Sequence, residues 1–260
     1  NSNGSIISSN TFDTLSFTPG NYYDLTAGSH QTINYEIFPT GLCDGPILIK
    51  SASNGVQANI YKLNDTIRVE NTAIRDINAM GSAYYIAENS VDLGNNNGWD
   101  TVMVSAPGKL YWVGGAGEWN NKDHWSLTSG GPGGECIPTP YDTVIFDQNS
   151  FSAIDQYCDV NLNNAFAHDM DWSDANYNPE FKSAITAAYL RIYGSLKLNP
   201  DMNFTFPGYI SFESSDPAET IITENIKFHN LNNDVFFDGI GGEWTLLDSL
   251  SLGYALENRN

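Results

Sequence analysis

Two groups of residues in this chain could do chemistry. The first lies in YWVGGAGEWNNKDHWSLTSGGPGGECIPTPYDTVIFDQNSF, Tyr111 to Phe151, where Trp112, Trp119, His124 and Trp125 crowd together; Trp172 follows later. Indole faces stack on the C–H faces of sugars while neighbouring Asp and Asn bind hydroxyls, so Trp112, Trp119, Trp125 and Trp172 are candidates for a glycan platform. The same residues also suit a cap, with Trp rings closing the end of an apolar core and glycines supplying positive-φ turns.

The second group is acidic. Asp169 and Asp171, two apart on a strand, would share one face, and Asp174 follows; Asp142 and Asp147 flank another strand. Paired carboxylates could serve as acid and base or nucleophile in a glycosidase, and Asp169, Asp171 and Asp174 could bind calcium through hard oxygens. A polysaccharide lyase would add a basic residue such as Arg191, but only 11 Lys and Arg stand against 31 Asp and Glu. An ordinary solvent-facing strand accounts for the carboxylates more simply than catalysis does. There is no GxSxG elbow, P-loop or HExxH, and His30, His124, His168 and His229 are scattered singly.

The elements that must position these residues are strands. Short β-branched and aromatic runs alternate with turn clusters: Thr11 to Phe17, Gln31 to Phe38, Pro46 to Ala52, Thr66 to Ile77, Asp142 to Asp147, Phe204 to Glu213 and Asp234 to Ile240. Helical periodicity is confined to Pro179 to Tyr189. The chain therefore reads as all-β, and two architectures compete. Tandem β-sandwiches would use antiparallel hairpins closed at Asn3-Gly4, Asn54-Gly55, Asn97-Gly98 or Asp238-Gly239. A parallel β-helix or β-solenoid would instead stack coils of roughly 20 or more residues and bury its core between them. Gly117-Glu118-Trp119 recurs as Gly242-Glu243-Trp244, which fits degenerate repeats.

Composition bounds the partners. A formal charge of -20 repels nucleic acid and anionic membrane surfaces, and no apolar run is long enough to insert in a membrane. A start at Asn1 without Met or a basic leader suggests a processed or excised piece. Of the cysteines Cys43, Cys136 and Cys158, Cys136 and Cys158 could pair in an oxidising compartment. Asp followed by Thr or Ser and an aliphatic residue occurs at Thr14, Thr66, Thr101, Thr143 and Ser249, where roughly one such triplet is expected. An Asx-type turn launching a strand would favour the same triplet.

The central block resembles a recurrent segment of very large Bacteroidetes surface proteins, the adhesin-like and gliding-motility proteins exported by the type IX secretion system. The elements that carry the likeness are GNNNGWD (Gly94 to Asp100), WVGG-x-G-x-W from Trp112 to Trp119, HWS at His124 to Ser126, Ser129 to Gly134, Cys136 to Pro138 and Asp142 to Phe151. HDMDW (His168 to Trp172), YGSLKLNP (Tyr193 to Pro200) and MNFTF (Met202 to Phe206) extend it. The family tends to place a Cys just before its HDMDW-like element, whereas here Cys158 lies earlier and Ala167 precedes His168.

The resemblance implies a parallel β-helix-like stalk, and a unit boundary at which residues 1–104 close one β-rich repeat and residues 105–260 form the next. As a unit boundary, the Trp block favours the cap. The likeness also makes Thr14, Thr66, Thr101, Thr143 and Ser249 O-glycosylation acceptors of the kind found in Bacteroidetes secreted proteins. The expected function is a non-enzymatic structural and adhesive segment of a secreted cell-surface protein. It would need no cofactor beyond a possible role for calcium, and its partners would be neighbouring repeats of the same chain, surface polysaccharide or other secreted proteins. The alternative is a polysaccharide-binding or polysaccharide-degrading β-helix module.

Overall fold

The computed structural model describes residues 3–38, 41–102, 108–228 and 234–259. Among these residues the protein is all-β; the helical content is one 3-10 turn, Lys122–His124, and no helix is long and apolar enough to cross a membrane. The chain divides into two compact units, Asn1–Ser105 and Ala106–Asn260. The sequence boundary at 104 and 105, like His229, lies outside the described residues.

In the second unit the chain visits three sheets in turn and returns to the first one place further along. Thr143–Ile145, Met170–Asp171, Leu196–Lys197, Glu219–Ile222 and Trp244–Leu246 are successive members of the first sheet. Tyr157–Asp159, Glu180–Lys182 and Asn203–Phe204 lie in the second, and Lys227–Phe228 with Ser251–Leu252 take the corresponding place in the last two circuits. Asn164–Ala167, Tyr189–Ile192, Tyr209–Phe212, Val235–Phe237 and Leu256–Asn258 form the third. Every one of these pairings is parallel, the opposite of what hairpin-built sandwiches require.

Register turns this topology into a core. Val144, Met170, Leu196, Ile221 and Leu246 are direct partners, so one ladder position recurs every 25 or 26 residues, and its first four members are buried. Cys158, Phe181 and Phe204 make a second such row, and Ala165, Leu190, Ile210, Val235 and Leu256 a third. Apolar side chains stack on apolar ones, and the rows belong to the buried cluster of this unit up to Ile221, Phe204 and Val235, while Leu246 and Leu256 in the last circuit are exposed. Each circuit packs its apolar side chains on one another, as Phe146 on Phe151, and against the adjacent circuits, which is how short strands become stable.

The first unit repeats the plan. Gly4–Ile6, Tyr22–Leu25, Ile47–Ser51, Thr72–Arg75 and Val91–Asp92 form one parallel sheet. Asn10–Ser16, His30–Phe38, Ala58–Lys62 and Ile77–Gly81 form another, and Thr66–Glu70, Tyr84–Glu88 and Asp100–Val102 a third. Its corners explain the wealth of Asn and Asp: Asp65, Asn71, Asp76, Asn89 and Asn95 all adopt left-handed backbone, a conformation these short polar side chains tolerate best after glycine.

Two expectations are corrected by this geometry. Pro179 to Tyr189 is not helical: Glu180–Lys182 and Tyr189–Ile192 are strands, because Phe181 and Leu190 are needed in the interior rows. The Asn-Gly and Asp-Gly sites close no hairpin among the described residues. Gly55 and Gly98 do take positive φ, but they turn the chain between strands whose ladder partners are parallel.

Candidate functional site

The tryptophan block lies at one edge of the first sheet of the second unit. Lys109–Trp112 pairs in parallel with Thr143–Ile145 on one side and antiparallel with Trp125–Ser126 on the other. This reversed strand ends the sheet. It is placed by a local fold the sequence encodes closely: Asn121 caps the Lys122–His124 turn through a hydrogen bond accepted from the Asp123 amide. His124 bonds through Nδ1 to the Val113 carbonyl at 2.7 Å and stacks on Trp112 with ring planes 10° apart. Gly117 is required here, since a Cβ would fall 2.0 Å from His124 Nε2.

The four tryptophans do not form a glycan platform. Trp112, Trp119, Trp125 and Trp172 are all buried at 0% exposure, so none of their faces is open to a sugar. Trp112 Nε1 donates to the Gly115 carbonyl and Trp125 Nε1 to the Trp119 carbonyl, each at 2.7 Å. Trp119 packs edge-on against Trp125, and Trp172 lies flat on Phe146. The block closes the apolar interior, and burial of roughly 150–250 Å² per aromatic makes it a large share of the packing there.

The carboxylates likewise hold backbone. Asp169 accepts from the Ser195 amide at 2.8 Å and the Thr143 hydroxyl at 3.2 Å, and pairs with His168. The hydrogen bond to His168 holds the Asp169 carboxyl below the usual carboxylate value, and the same bond raises His168 above the ordinary imidazole value, with Glu219 and Asp216 adding to the rise. Asp171 accepts the Ser173 amide at 2.8 Å, and Asp174 is exposed. The calcium site drawn from Asp169, Asp171 and Asp174 is therefore not assembled: among the described residues no three His, Cys, Asp or Glu side chains are placed to hold a metal. Asp142 accepts from the Thr139 amide and hydroxyl, and Asp147 from the Asn149 amide, so these too serve turns.

Arg191 stands in the third sheet, buried beside Glu213 in a close ion pair. Glu213 also accepts from Tyr193 at 3.0 Å and Ser211 at 2.9 Å, and Arg191 Nε donates to Asn164 at 3.1 Å. The adjacent anion raises the guanidinium's pKa further above its already high value against the opposing effect of burial. Its positive charge is thus committed to Glu213. Sequence reading missed this network because Glu213 is 22 positions away and becomes a neighbour only through the parallel register.

The cysteines depart from expectation. Cys158 is a free thiol, fully buried in the row with Phe181, and burial pushes its pKa well up. It does not pair with Cys136; Cys136 and Cys43 are the disulfide-bonded cysteines. The in-register position of Cys158 turns its side chain into the core.

Four of the five Asp-Thr/Ser triplets fall at strand starts or within strands, and Asp248-Ser249-Leu250 lies in the turn between Trp244–Leu246 and Ser251–Leu252. Thr14, Thr66 and Ser249 are exposed, and Thr143 is half-buried with its hydroxyl donating to Asp169. Thr101 lies in Asp100–Val102, with its side chain outside the described residues. Comparison with family models, curated proteins and solved structures finds nothing that matches this chain.

Proposed function

We propose that this chain is a non-enzymatic structural and adhesive segment of a large secreted cell-surface protein, with its parallel sheets wound as a β-solenoid. The observation that carries the reading is the row Val144, Met170, Leu196, Ile221 and Leu246, one residue per circuit in unbroken parallel register. Such a ladder bears load through many equivalent backbone hydrogen bonds, and its stability comes from nearest-neighbour contacts.

Two further features support it. The rows are closed at one edge by the tryptophan block, while at the other Leu246 and Leu256 are 45% and 46% exposed although their row neighbours Ile221 and Val235 are buried. That asymmetry suits an element that stacks on neighbouring repeats of the same kind. The disulfide-bonded Cys43 and Cys136 suit an oxidising, extracytoplasmic compartment. The likeness of the central block to type IX secretion cargo supports that export route and a surface location, and exposed Thr14, Thr66 and Ser249 are offered as the acceptors for O-glycans.

Paired cysteines at Thr220 and Thr245, direct parallel partners one circuit apart in the second unit, test the winding: cross-linking on mild oxidation is expected, and its absence overturns it. Surface labelling of cells with and without a working type IX system tests the location. Intact-mass analysis of native protein tests the glycans, and an unmodified mass removes them.

A further inference from the structure

In the first unit, the paired span Gln31 to Phe38 carries one residue more than its neighbour Asn10–Ser16. Phe12 pairs with Ile33 and Thr14 with Glu36, so Asn34 and Tyr35 together oppose Asp13. This is a β-bulge, a device that bends a strand and re-aims a side chain. The next circuit holds it in place. Lys62, only 2% exposed, donates its ammonium to the Tyr35 carbonyl at 2.7 Å and the Asn34 carbonyl at 3.4 Å. Asn34 in turn donates to Asp13 at 3.1 Å. Burying an ammonium is costly unless it is well bonded, yet what this arrangement presents is not core: the Tyr35 residue is 72% exposed.

A second exposed tyrosine stands at the same corner two circuits later. Thr32 pairs with Tyr61 and Tyr61 with Met80, and just beyond these ladders the chain reaches Leu63 and then Tyr84, 63% and 75% exposed. Backbone bonds from Ser82 to the Leu63 carbonyl and from Tyr84 to the Asp65 carbonyl fix that corner. With about 4.8 Å between strands, two circuits separate the tyrosines by about 10 Å along the stack.

We propose that Tyr35 and Tyr84, with Leu63 between them, form a binding platform for a neutral, extended polysaccharide. Tyrosine faces and an aliphatic neighbour take the C–H faces of successive sugars, and the exposed polar side chains of Asn34, Asn64 and Asp65 surround them with groups that bind hydroxyls. The charge of -20 turns away sulfated and uronic chains, which leaves a neutral glycan as the fitting ligand. The inference rests on the adhesive half of the function proposed above and supplies its ligand face; cross-linking within the second unit judges the winding, whereas binding judges this site.

The test is native affinity electrophoresis of the full chain in gels containing hydroxyethyl cellulose, glucomannan or laminarin, with alginate as the anionic polymer. Retardation in at least one neutral gel is expected. Tyr35→Ala and Tyr84→Ala should each weaken it about 2- to 10-fold with unchanged melting, because both rings are exposed, while Tyr254→Ala in the other unit should bind as the parent does. Retardation by alginate alone, by no polymer, or equally in the parent and both tyrosine variants overturns the proposal.

Discussion

Trp172 lies flat on Phe146, with ring centroids 3.5 Å and planes 8° apart, so that one circuit of the second unit is stacked on the next by two aromatic faces. Phe151 extends the stack and Phe181 meets Trp172 edge-on. Because all four are buried, Trp172→Ala leaves a void that the neighbouring circuits cannot close. We expect a loss of about 3–5 kcal/mol of unfolding free energy, read from denaturant titration. A loss below about 1 kcal/mol would show that the stack contributes little.

The His168 and Asp169 pair predicts a pH window. His168 is raised above 6.5 in the folded state, so its contribution is complete below pH 6.5 and is lost as pH rises through the folded value. Asp169 is lowered below 3.8, so its contribution is present above pH 3.8 and is lost as pH falls through its folded value. The pair therefore stabilises most between these two ordinary values. Melting followed against pH should decline on the alkaline side, and His168→Gln should remove that decline while leaving the protein folded.

Arg191 and Glu213 form a buried pair on which Tyr193, Ser211 and Asn164 converge. Removing one partner strands the other's charge, so Arg191→Met or Glu213→Leu alone should cost about 3–5 kcal/mol. The double variant should recover much of that loss, because two apolar side chains need no pairing. Additive losses in a double-mutant cycle would argue against direct coupling.

Thiol counting checks the cysteine assignment. The native protein should show no reactive thiol, since Cys158 is buried and its thiolate is disfavoured. Unfolding without reductant should release one thiol per chain, and unfolding with reductant should release three. One thiol in the native state would place Cys158 at the surface.

Much of the fold is legible along the chain. The strands over Gln31 to Phe38 and Pro46 to Ala52 are found close to where alternation and β-branching put them, as His30–Phe38 and Ile47–Ser51. The run Thr66 to Ile77 is broken at Asn71 and again at Asp76, whose left-handed backbones turn corners. Local pattern could not mark those breaks, because Asn and Asp are tolerated in many conformations and are committed to this one only by the sheets on either side. The tryptophan block was visible as a cluster, but its role depends on burial, and burial depends on which circuit lies beneath it.

By itself, then, the sequence determined the all-β character, the acidic surface and the dense turn chemistry, since these follow from residue types and near neighbours. Tertiary structure alone decided that the strands pair in parallel a whole circuit apart, that Cys158 enters a phenylalanine row, that Arg191 meets Glu213, and that Lys62 supports the Tyr35 bulge. The physical reason is the same in each case. Parallel pairing joins residues separated by a whole circuit, and a shift of one residue in that register would exchange the inward and outward faces of every strand.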